Sequence, residues 1–136
     1  MATIVVPFTE ETALLLVQDT ENLWNQRDPD KIVLTCAEDC VYRNRGELLK
    51  GRAEIKAALL RKWAKELDYR LKKYLWGFRG NRAAVHFEYE WHDVSGQWFR
   101  SYGVELWEFN AEGLLHRHIA SINDVAIAAS ERHIGI

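Results

Sequence analysis

The chain of 136 residues is 48% hydrophobic and 28% charged, proportions that are typical of a globular domain with one core. Its net charge of −2 and pI near 6.2 argue against a nucleic-acid-binding surface, which normally carries a basic excess. No apolar stretch approaches the roughly 20 residues of a membrane span, and residues 1–7 lack the features of a secretory signal, so we expect a cytoplasmic protein without a membrane or nucleic-acid partner.

The beginning of the chain predicts two helices. Thr9, followed by two acids, is typical of a helix start, and apolar side chains then recur at helical spacing to about Arg27. Pro29 suits the first turn of a second, short helix over residues 30–37.

A strand, a loop and a third helix are predicted next. Residues 40–44 have the pattern of a short strand and residues 45–50 that of a loop. Gly51 precedes an amphipathic helix whose apolar stripe includes Leu59 and Trp63.

The second half of the chain has the period of two that is typical of strands. Four strands are predicted, over residues 69–78, 83–92, 98–109 and 114–123, with glycine-containing turns between them. Helices followed by an antiparallel meander indicate an α+β fold in one domain over residues 1–136. A strongly curved sheet with the helices on its concave face would enclose a cone-shaped cavity for a small-molecule ligand.

Glu105 stands among aromatic residues in the strand over 98–109. Alternation places it on one face with Phe99, Trp107 and Phe109. Burial between rings would raise the pKa of the carboxyl group, which could then donate a hydrogen bond or move a proton near neutral pH. A Glu at the exposed end of the strand, or one paired with an Arg in the core, is the alternative.

Several segments together resemble the nuclear transport factor two-like superfamily, which includes SnoaL-like polyketide cyclases, ketosteroid isomerases, scytalone dehydratase and limonene epoxide hydrolase. The segments Asp28–Ile32, Ala37–Val41 and Gly51–Ile55 carry the resemblance to the superfamily. The segments Arg43–Arg45, Arg61–Trp63, Glu66–Arg70, Phe87–Asp93 and Ala120–Asp124 resemble an uncharacterised bacterial family within it. The resemblance implies a cone-shaped α+β barrel and a pocket that works without a cofactor.

The ketosteroid isomerase pattern implies roles for several positions of this chain. Its general-base Asp falls on Asn44 and its oxyanion-donating Tyr falls on Thr20, so both residues differ here. Its protonated Asp falls on Glu105, which keeps a carboxyl group, and His118 is a candidate acid or base beside it. The overlay also implies that Trp24 and Trp63 are pocket walls and that Ala120 and Ile122 share the inward face of the last strand. Leu59 of the helical apolar stripe and Trp107, which would exclude solvent, complete the substrate-contacting set.

Charged residues near the predicted mouth of the cone have two interpretations. Arg43 and Arg45 could clamp a carboxylate or enolate, or they could pair with an acid such as Asp124. The strand over 83–92 has an apolar and a polar side, and the sequence leaves open which of them faces the cavity. If the polar side faces outward, Glu90 is expected to meet Arg100 across the strands.

A metal site is not predicted. His86, Glu88, Glu90 and His92 alternate along one strand and spread over roughly 13 Å, too far for one ion to bind all four. Cys36 and Cys40 have no His or Cys partners that would complete a zinc set, so free buried thiols are expected.

The sequence leads to two functional hypotheses and to a prediction of the oligomeric state. The chain is either a cofactor-independent enzyme, in which Glu105, His118 and Asn44 act on a largely apolar substrate, or a pocket protein without catalysis. Trp98, Tyr102, Val104 and Leu106 would form an apolar outer face, which predicts a homodimer unless residues 125–136 cover it.

Overall fold

The computed structural model describes residues 4–134, in which three α-helices lie against one six-stranded sheet. The helices are α1 (Glu10–Asn25), α2 (Pro29–Val33) and α3 (Gly51–Lys65). The strands are β1 (Cys36–Asn44), β2 (Glu47–Lys50), β3 (Leu67–Arg79), β4 (Arg82–His92), β5 (Trp98–Phe109) and β6 (Leu115–Ile127). A short 3₁₀ turn at Ala129–Glu131 follows the last strand.

The sheet is mixed and does not close. Its strand order is β2-β1-β6-β5-β4-β3, and all neighbours are antiparallel except β1 and β6, which run parallel. Helices α1 and α3 pack on the concave face, against β3 and β1 respectively. The predicted α+β fold, a cone-shaped barrel with helices on the concave side of a strongly curved sheet, is therefore confirmed.

The region before α3 contains more strand than the sequence pattern indicated. The predicted loop over 45–50 is wrong in part, because β2 pairs with β1 in a hairpin across Arg45 and Gly46. Arg45 adopts a φ of 56°, the left-handed conformation that such tight turns require. Helix α2 ends earlier than predicted, at Val33, and β1 begins at Cys36 with an irregular register before Val41.

Helix α1 is fixed at its N-terminus by its cap and at its C-terminal half by β3. The Thr9 hydroxyl accepts the backbone N–H of Thr12, whose own hydroxyl accepts the N–H of Thr9. Further along, the Asn25 side chain bonds both the N–H and the C=O of Leu71. Glu21 accepts the N–H of Lys73 at 2.8 Å. Because β3 is an edge strand, these two side chains satisfy backbone groups that would otherwise lack a partner strand.

Strand β4 turns its apolar side toward the helices. Phe87, Tyr89 and Trp91 are buried in a core cluster with Tyr69 and Leu71 of β3. The polar side faces outward, which resolves the alternative that the sequence left open.

On the outer face, Arg100 donates to one carboxylate oxygen of Glu90 at 2.7 and 3.0 Å, which is the predicted cross-strand pair. The other oxygen of Glu90 accepts the N–H groups of His133 and Ile134 at 3.1 and 2.8 Å, respectively. Glu90 therefore fixes the end of the described chain against the sheet.

The C-terminal segment covers only one end of the outer face. The Arg132 guanidinium lies 4.1 Å from the ring centre of Trp98, which is half-buried. Exposed apolar side chains remain on β3 and β5, and we call them the outer apolar patch: Tyr74, Trp76, Tyr102, Val104 and Leu106. Trp76 is the most exposed of them, at 79%.

Gly103 makes room for an aromatic ring on the concave face. It pairs directly with Phe87 in the β4–β5 register, and the Phe87 ring lies over it. A Cβ at position 103 would come within 2.3 Å of that ring, closer than any real contact. Phe87 therefore holds its place only because its cross-strand neighbour has no side chain.

We expect Gly103→Ala to lower the free energy of unfolding by about 1–2 kcal/mol, because the new methyl group overpacks the Phe87 ring. Gly77→Ala, two strands further out, is the matched control, since a Cβ there meets no atom within 4 Å. Urea unfolding of both variants measures the difference. Equal stability of the two would show that the Phe87 ring moves away at no cost.

Candidate functional site

A cavity of about 210 Å³ lies between the concave face of the sheet and helices α1 and α3, and we call it the main cavity. Apolar side chains such as Trp24, Leu59, Phe87 and Ile122 form much of its wall. A cavity of about 150 Å³ can hold benzene, so the main cavity has room for a ring with a few substituent atoms.

Three ionisable side chains meet at the inner end of the main cavity and form what we call the buried cluster. The Lys73 ammonium donates to Glu105 Oε1, and His118 Nε2 lies 2.9 Å from Glu105 Oε2. All three side chains are buried, with at most 5% of each exposed. A carboxylate only accepts hydrogen bonds, so His118 Nε2 carries the hydrogen.

The strand register places the three residues side by side. Phe87 of β4 pairs with Lys73 of β3 on one side and with Gly103 of β5 on the other. Glu105 is two residues beyond Gly103 along β5, so it lies on the same face of the sheet as Lys73. His118 pairs with Trp107, which makes it the diagonal neighbour of Glu105 on the same face. Diagonal neighbours on one face of a sheet are within reach of long side chains.

The pKa of Glu105 is opposite in direction to the sequence-based prediction. Burial raises it, as expected, but the positive charge of Lys73 and the hydrogen bonds from His118 and Lys73 outweigh burial and hold the pKa at about 2. Glu105 is therefore a carboxylate near neutral pH. The prediction of a protonated Glu105 was wrong because it did not include the positive charge of Lys73.

Aromatic rings surround the cationic member of the buried cluster. Lys73 Nζ lies 4.9 Å from the ring centre of Phe87, 5.4 Å from that of Trp107 and 5.6 Å from that of Trp24. An ammonium has three N–H donors, and within residues 4–134 that of Lys73 hydrogen-bonds only to Glu105. Its remaining donors are free for a ligand oxygen.

The Tyr42 ring covers one face of the His118 imidazole. The Tyr42 ring stacks on the imidazole with ring centres 3.8 Å apart and planes within 4°, because the two residues pair across β1 and β6. Burial and the nearby Glu105 charge raise the pKa of Tyr42, so its phenol stays neutral. His118 Nδ1 is buried and has no hydrogen-bond partner among residues 4–134.

A second, smaller cavity of about 30 Å³ lies behind the buried cluster. Trp24, Tyr42 and the three residues of the cluster border both cavities. Thr20 and Trp107 border only the smaller one, and the Thr20 hydroxyl donates to the Leu16 carbonyl at 2.7 Å. The smaller cavity has about the volume of one water molecule in the liquid.

The mouth of the main cavity is charged. Arg45 donates to both oxygens of Asp124, at 2.7 and 3.0 Å, and to the Tyr89 hydroxyl. Ser101 donates to the same Asp124 at 2.6 Å. Burial raises the pKa of Asp124, but these hydrogen bonds overcome it and lower the pKa. The second predicted alternative, an ion pair between Arg45 and Asp124, is therefore the one that the structure shows.

The structure brings most of the sequence-predicted site residues together. The main cavity is bordered by seven of them: Trp24, Asn44, Leu59, Glu105, His118, Ala120 and Ile122. Thr20 and Trp107 border the smaller cavity. Arg43 is exposed and lies outside both linings, because alternation along β1 turns it away from Asn44. Trp63 also borders neither cavity and packs behind the wall, 5.6 Å from the ring centres of Trp24 and Tyr69.

Lys73 is the principal residue that sequence reasoning missed. It lies in a run of basic residues over 61–82 that has the composition of a solvated surface. The period of two in β3 nevertheless places it on the inner face with Tyr69 and Leu71, which are both buried. Reading that alternation through the basic run would have found the lysine.

Comparison with solved structures identifies the class of fold. The epoxide hydrolase/cyclase-like enzyme SalBIII, described with pyran ring formation in the polyether salinomycin, is 17% identical, with a TM-score of 0.73 over 84% of this chain and 92% of that one. A putative polyketide cyclase from Xanthomonas campestris pv. campestris is 22% identical, with a TM-score of 0.65 over 79% and 87%. An NTF2-like protein of unknown function from Burkholderia pseudomallei K96243 is 16% identical, with a TM-score of 0.72 over 81% and 89%.

The fold is therefore that of the nuclear transport factor two-like superfamily, as the sequence predicted. Residues 6–135 match the model of one family, described as protein of unknown function DUF1348, and the chain belongs to that family. No curated protein matches the chain. Within residues 4–134, no helix is long and apolar enough to cross a membrane, and no three His, Cys, Asp or Glu side chains are grouped to hold a metal ion.

The Lys73–Glu105 pair predicts a specific acid sensitivity. The pKa of Glu105 is lower in the folded protein than its ordinary value of 4.5, so the pair stabilises the fold above that pH. This contribution is lost as the pH falls from about 4.5 toward about 2. We expect urea unfolding to show a steeper loss of stability over that range for the natural chain than for Lys73→Met/Glu105→Gln. Parallel curves would contradict the prediction.

The same pair predicts a non-additive double-mutant cycle. Glu105→Gln alone leaves a buried ammonium without a counter-charge and should cost about 3–5 kcal/mol. Lys73→Met/Glu105→Gln replaces both charges and should recover most of that stability. Additive costs of the two single substitutions, measured by the same unfolding experiment, would contradict a direct interaction.

Proposed function

We propose that the main cavity binds a small, largely apolar molecule through an oxygen atom, and that the buried cluster transfers a proton during its conversion. The single observation that supports this proposal is the Lys73 ammonium, which is buried at the inner end of the cavity and uses one of its three donors within the described protein. A buried cation with free donors is suited to stabilise negative charge on a ligand oxygen.

Each member of the buried cluster has a distinct role in this proposal. Lys73 donates to the substrate oxygen and stabilises the enolate or alkoxide that forms there. Glu105 stays ionised, holds the ammonium in place and accepts from His118 Nε2. His118, whose Nδ1 has no partner among residues 4–134, accepts the proton that leaves the substrate. Asn44 borders the same cavity and orients the substrate.

These roles are compatible with several reactions that pass through charge on oxygen: isomerisation, dehydration, cyclisation and epoxide opening. The aromatic walls exclude water, which strengthens the electrostatic effect of Lys73. Two neighbours of similar fold are described as a putative polyketide cyclase and an epoxide hydrolase/cyclase-like enzyme, and both descriptions are in keeping with this range.

Free, buried Cys36 and Cys40 support our proposal that the protein is cytoplasmic.

Ligand binding without turnover is the second candidate function. It is favoured by Asn44, which cannot act as a base, and by Thr20, whose hydroxyl is bonded to the Leu16 carbonyl. In that case the buried cluster would serve only to select oxygen-bearing ligands.

Acetophenone and ethylbenzene, which differ in one carbonyl oxygen, test the binding step. We expect titration followed by NMR to shift the amide signals of Ala120 and Ile122 in the cavity, and not those of Val104 and Leu106 on the outer face. Acetophenone should bind at least about fivefold more tightly than ethylbenzene. Lys73→Met/Glu105→Gln should lose that preference, whereas Lys72→Met, at the half-buried neighbouring residue outside both cavities, should keep it.

Exchange of the acetophenone methyl protons in D₂O tests the proton transfer. The natural chain should exchange them faster than buffer does, and Lys73→Met/Glu105→Gln should abolish the excess rate. Tight binding of the ketone without any excess exchange would favour the non-catalytic function. Equal affinity for ketone and hydrocarbon would contradict the proposal as a whole.

We further propose that the protein is a homodimer in which the outer apolar patch forms the interface. The patch places Trp76, Val104 and Leu106 in water, and a contiguous surface of this kind is uncommon on a monomer. The described part of the C-terminal segment lies over Trp98 and leaves the patch open.

Light scattering should give about twice the chain mass of 15.9 kDa. Val104→Lys/Leu106→Lys should reduce it to the mass of one chain, because two charges would be buried in the interface. Leu34→Lys, at an exposed site after α2, is the control and should leave the mass unchanged. A natural chain that is monomeric at micromolar concentration would contradict this interface.

A further inference from the structure

The lining of the main cavity carries more positive than negative charge. Five cationic side chains border it: Arg45, Arg61, Lys62, Lys65 and Lys73. Three carboxylates border it: Glu47, Glu66 and Glu105. Asp124, just outside the lining, neutralises Arg45, so an excess of one positive charge remains. This charge attracts anions, because a cleft with low-dielectric walls focuses the field of its lining charges.

Two of the mouth cations are neutralised by close partners. Lys62 lies 2.7 Å from Glu66, with both side chains nearly buried, and its ammonium is 4.1 Å from the Tyr89 ring centre. Arg45 is bonded to both oxygens of Asp124. These pairs fix the shape of the mouth and leave little charge for a ligand.

Lys65 is the cation at the mouth without a partner of this kind. It lies in the last turn of α3, makes no salt bridge within residues 4–134, and its ammonium is 5.6 Å from the Trp91 ring centre. Its charge helps to lower the pKa of Asp124, after burial and the larger effects of Arg45 and Ser101. Asp124 is already bonded to those two residues, so Lys65 is available to a ligand.

Arg61 supports Lys65 at the same opening. It lies 2.9 Å from Glu47, but both side chains are more than half exposed, and such surface pairs are worth little. A ligand anion can therefore attract the Arg61 guanidinium at small cost. The mouth thus offers two cations with solvent access, one unpaired and one weakly paired.

The two ends of the cavity favour different groups on the ligand. At the inner end, a second carboxylate would share Lys73 with Glu105, and repulsion between like charges in a buried site disfavours that arrangement. A neutral oxygen, in a carbonyl or hydroxyl group, avoids the repulsion and can accept from Lys73. At the mouth, a carboxylate keeps part of its hydration and meets Lys65 and Arg61.

We infer that the ligand is a small oxo or hydroxy carboxylate, with its neutral oxygen on Lys73 and its carboxylate at the mouth on Lys65. This inference rests on the proposed function, since it takes the contact with Lys73 as given and adds the second end of the ligand. It narrows the substrate class from oxygen-bearing apolar molecules to acids with a short apolar body.

The probes are 4-hydroxybenzoate and 4-hydroxybenzamide, which share a phenol and a ring and differ in the charge of one end. Titration at low ionic strength should give about two- to fivefold tighter binding of the acid. Added salt should reduce the ratio, because the mouth is open to solvent. Lys65→Gln should bring the ratio close to one, whereas Lys72→Gln, the same change on a half-buried lysine of β3 that borders neither cavity, should leave it unchanged.

The outcomes distinguish a failure of this inference from a failure of the proposed function. If acid and amide bind equally, the inference is overturned and the cavity remains a site for neutral oxygen compounds. If Lys65→Gln and Lys72→Gln reduce the ratio equally, the preference comes from net charge and the mouth site is overturned. If neither probe binds and acetophenone also fails, the proposed function fails, and the inference fails with it.

Discussion

The ion pair between Lys73 and Glu105 is the constraint on which the rest of this structure depends. Removing two charges from water is costly, and their attraction compensates only when the geometry is good and other hydrogen bonds complete the site. Here His118 bonds the second carboxylate oxygen and three aromatic rings surround the ammonium. Hydrocarbon can surround such a pair, but moving either charge would leave the other buried without a partner.

Two features outside the pair maintain its geometry. Helix α1 holds the backbone of β3 through Glu21 and Asn25, and the Glu21 bond falls on Lys73 itself. Gly103 leaves space for Phe87, whose ring then packs below the ammonium. Helix α1, the edge strand β3 and the central strand β5 therefore all fix the position of the Lys73 ammonium, which explains how a lysine is held among aromatic rings.

The sequence predicted the fold, and most of its candidate site residues border a cavity, because both depend on periodic patterns. The helical stripe of α3 and the alternation of β5 are strong local signals, and they placed Leu59 and Glu105 on inward faces. The chemistry of the site was harder to predict, because it depends on a partner from a distant strand. Without Lys73, burial alone determined the expected pKa of Glu105, and the predicted direction was wrong.

Each edge of the sheet is closed in part to further strands. At one edge, side chains of α1 occupy backbone groups of β3, and at the other, β2 has only four residues. A neighbouring chain therefore cannot pair with β3 at Leu71 and Lys73, and β2 offers it only a short ladder. The same helix contacts that position Lys73 thus keep a foreign strand from pairing with β3 beside the site.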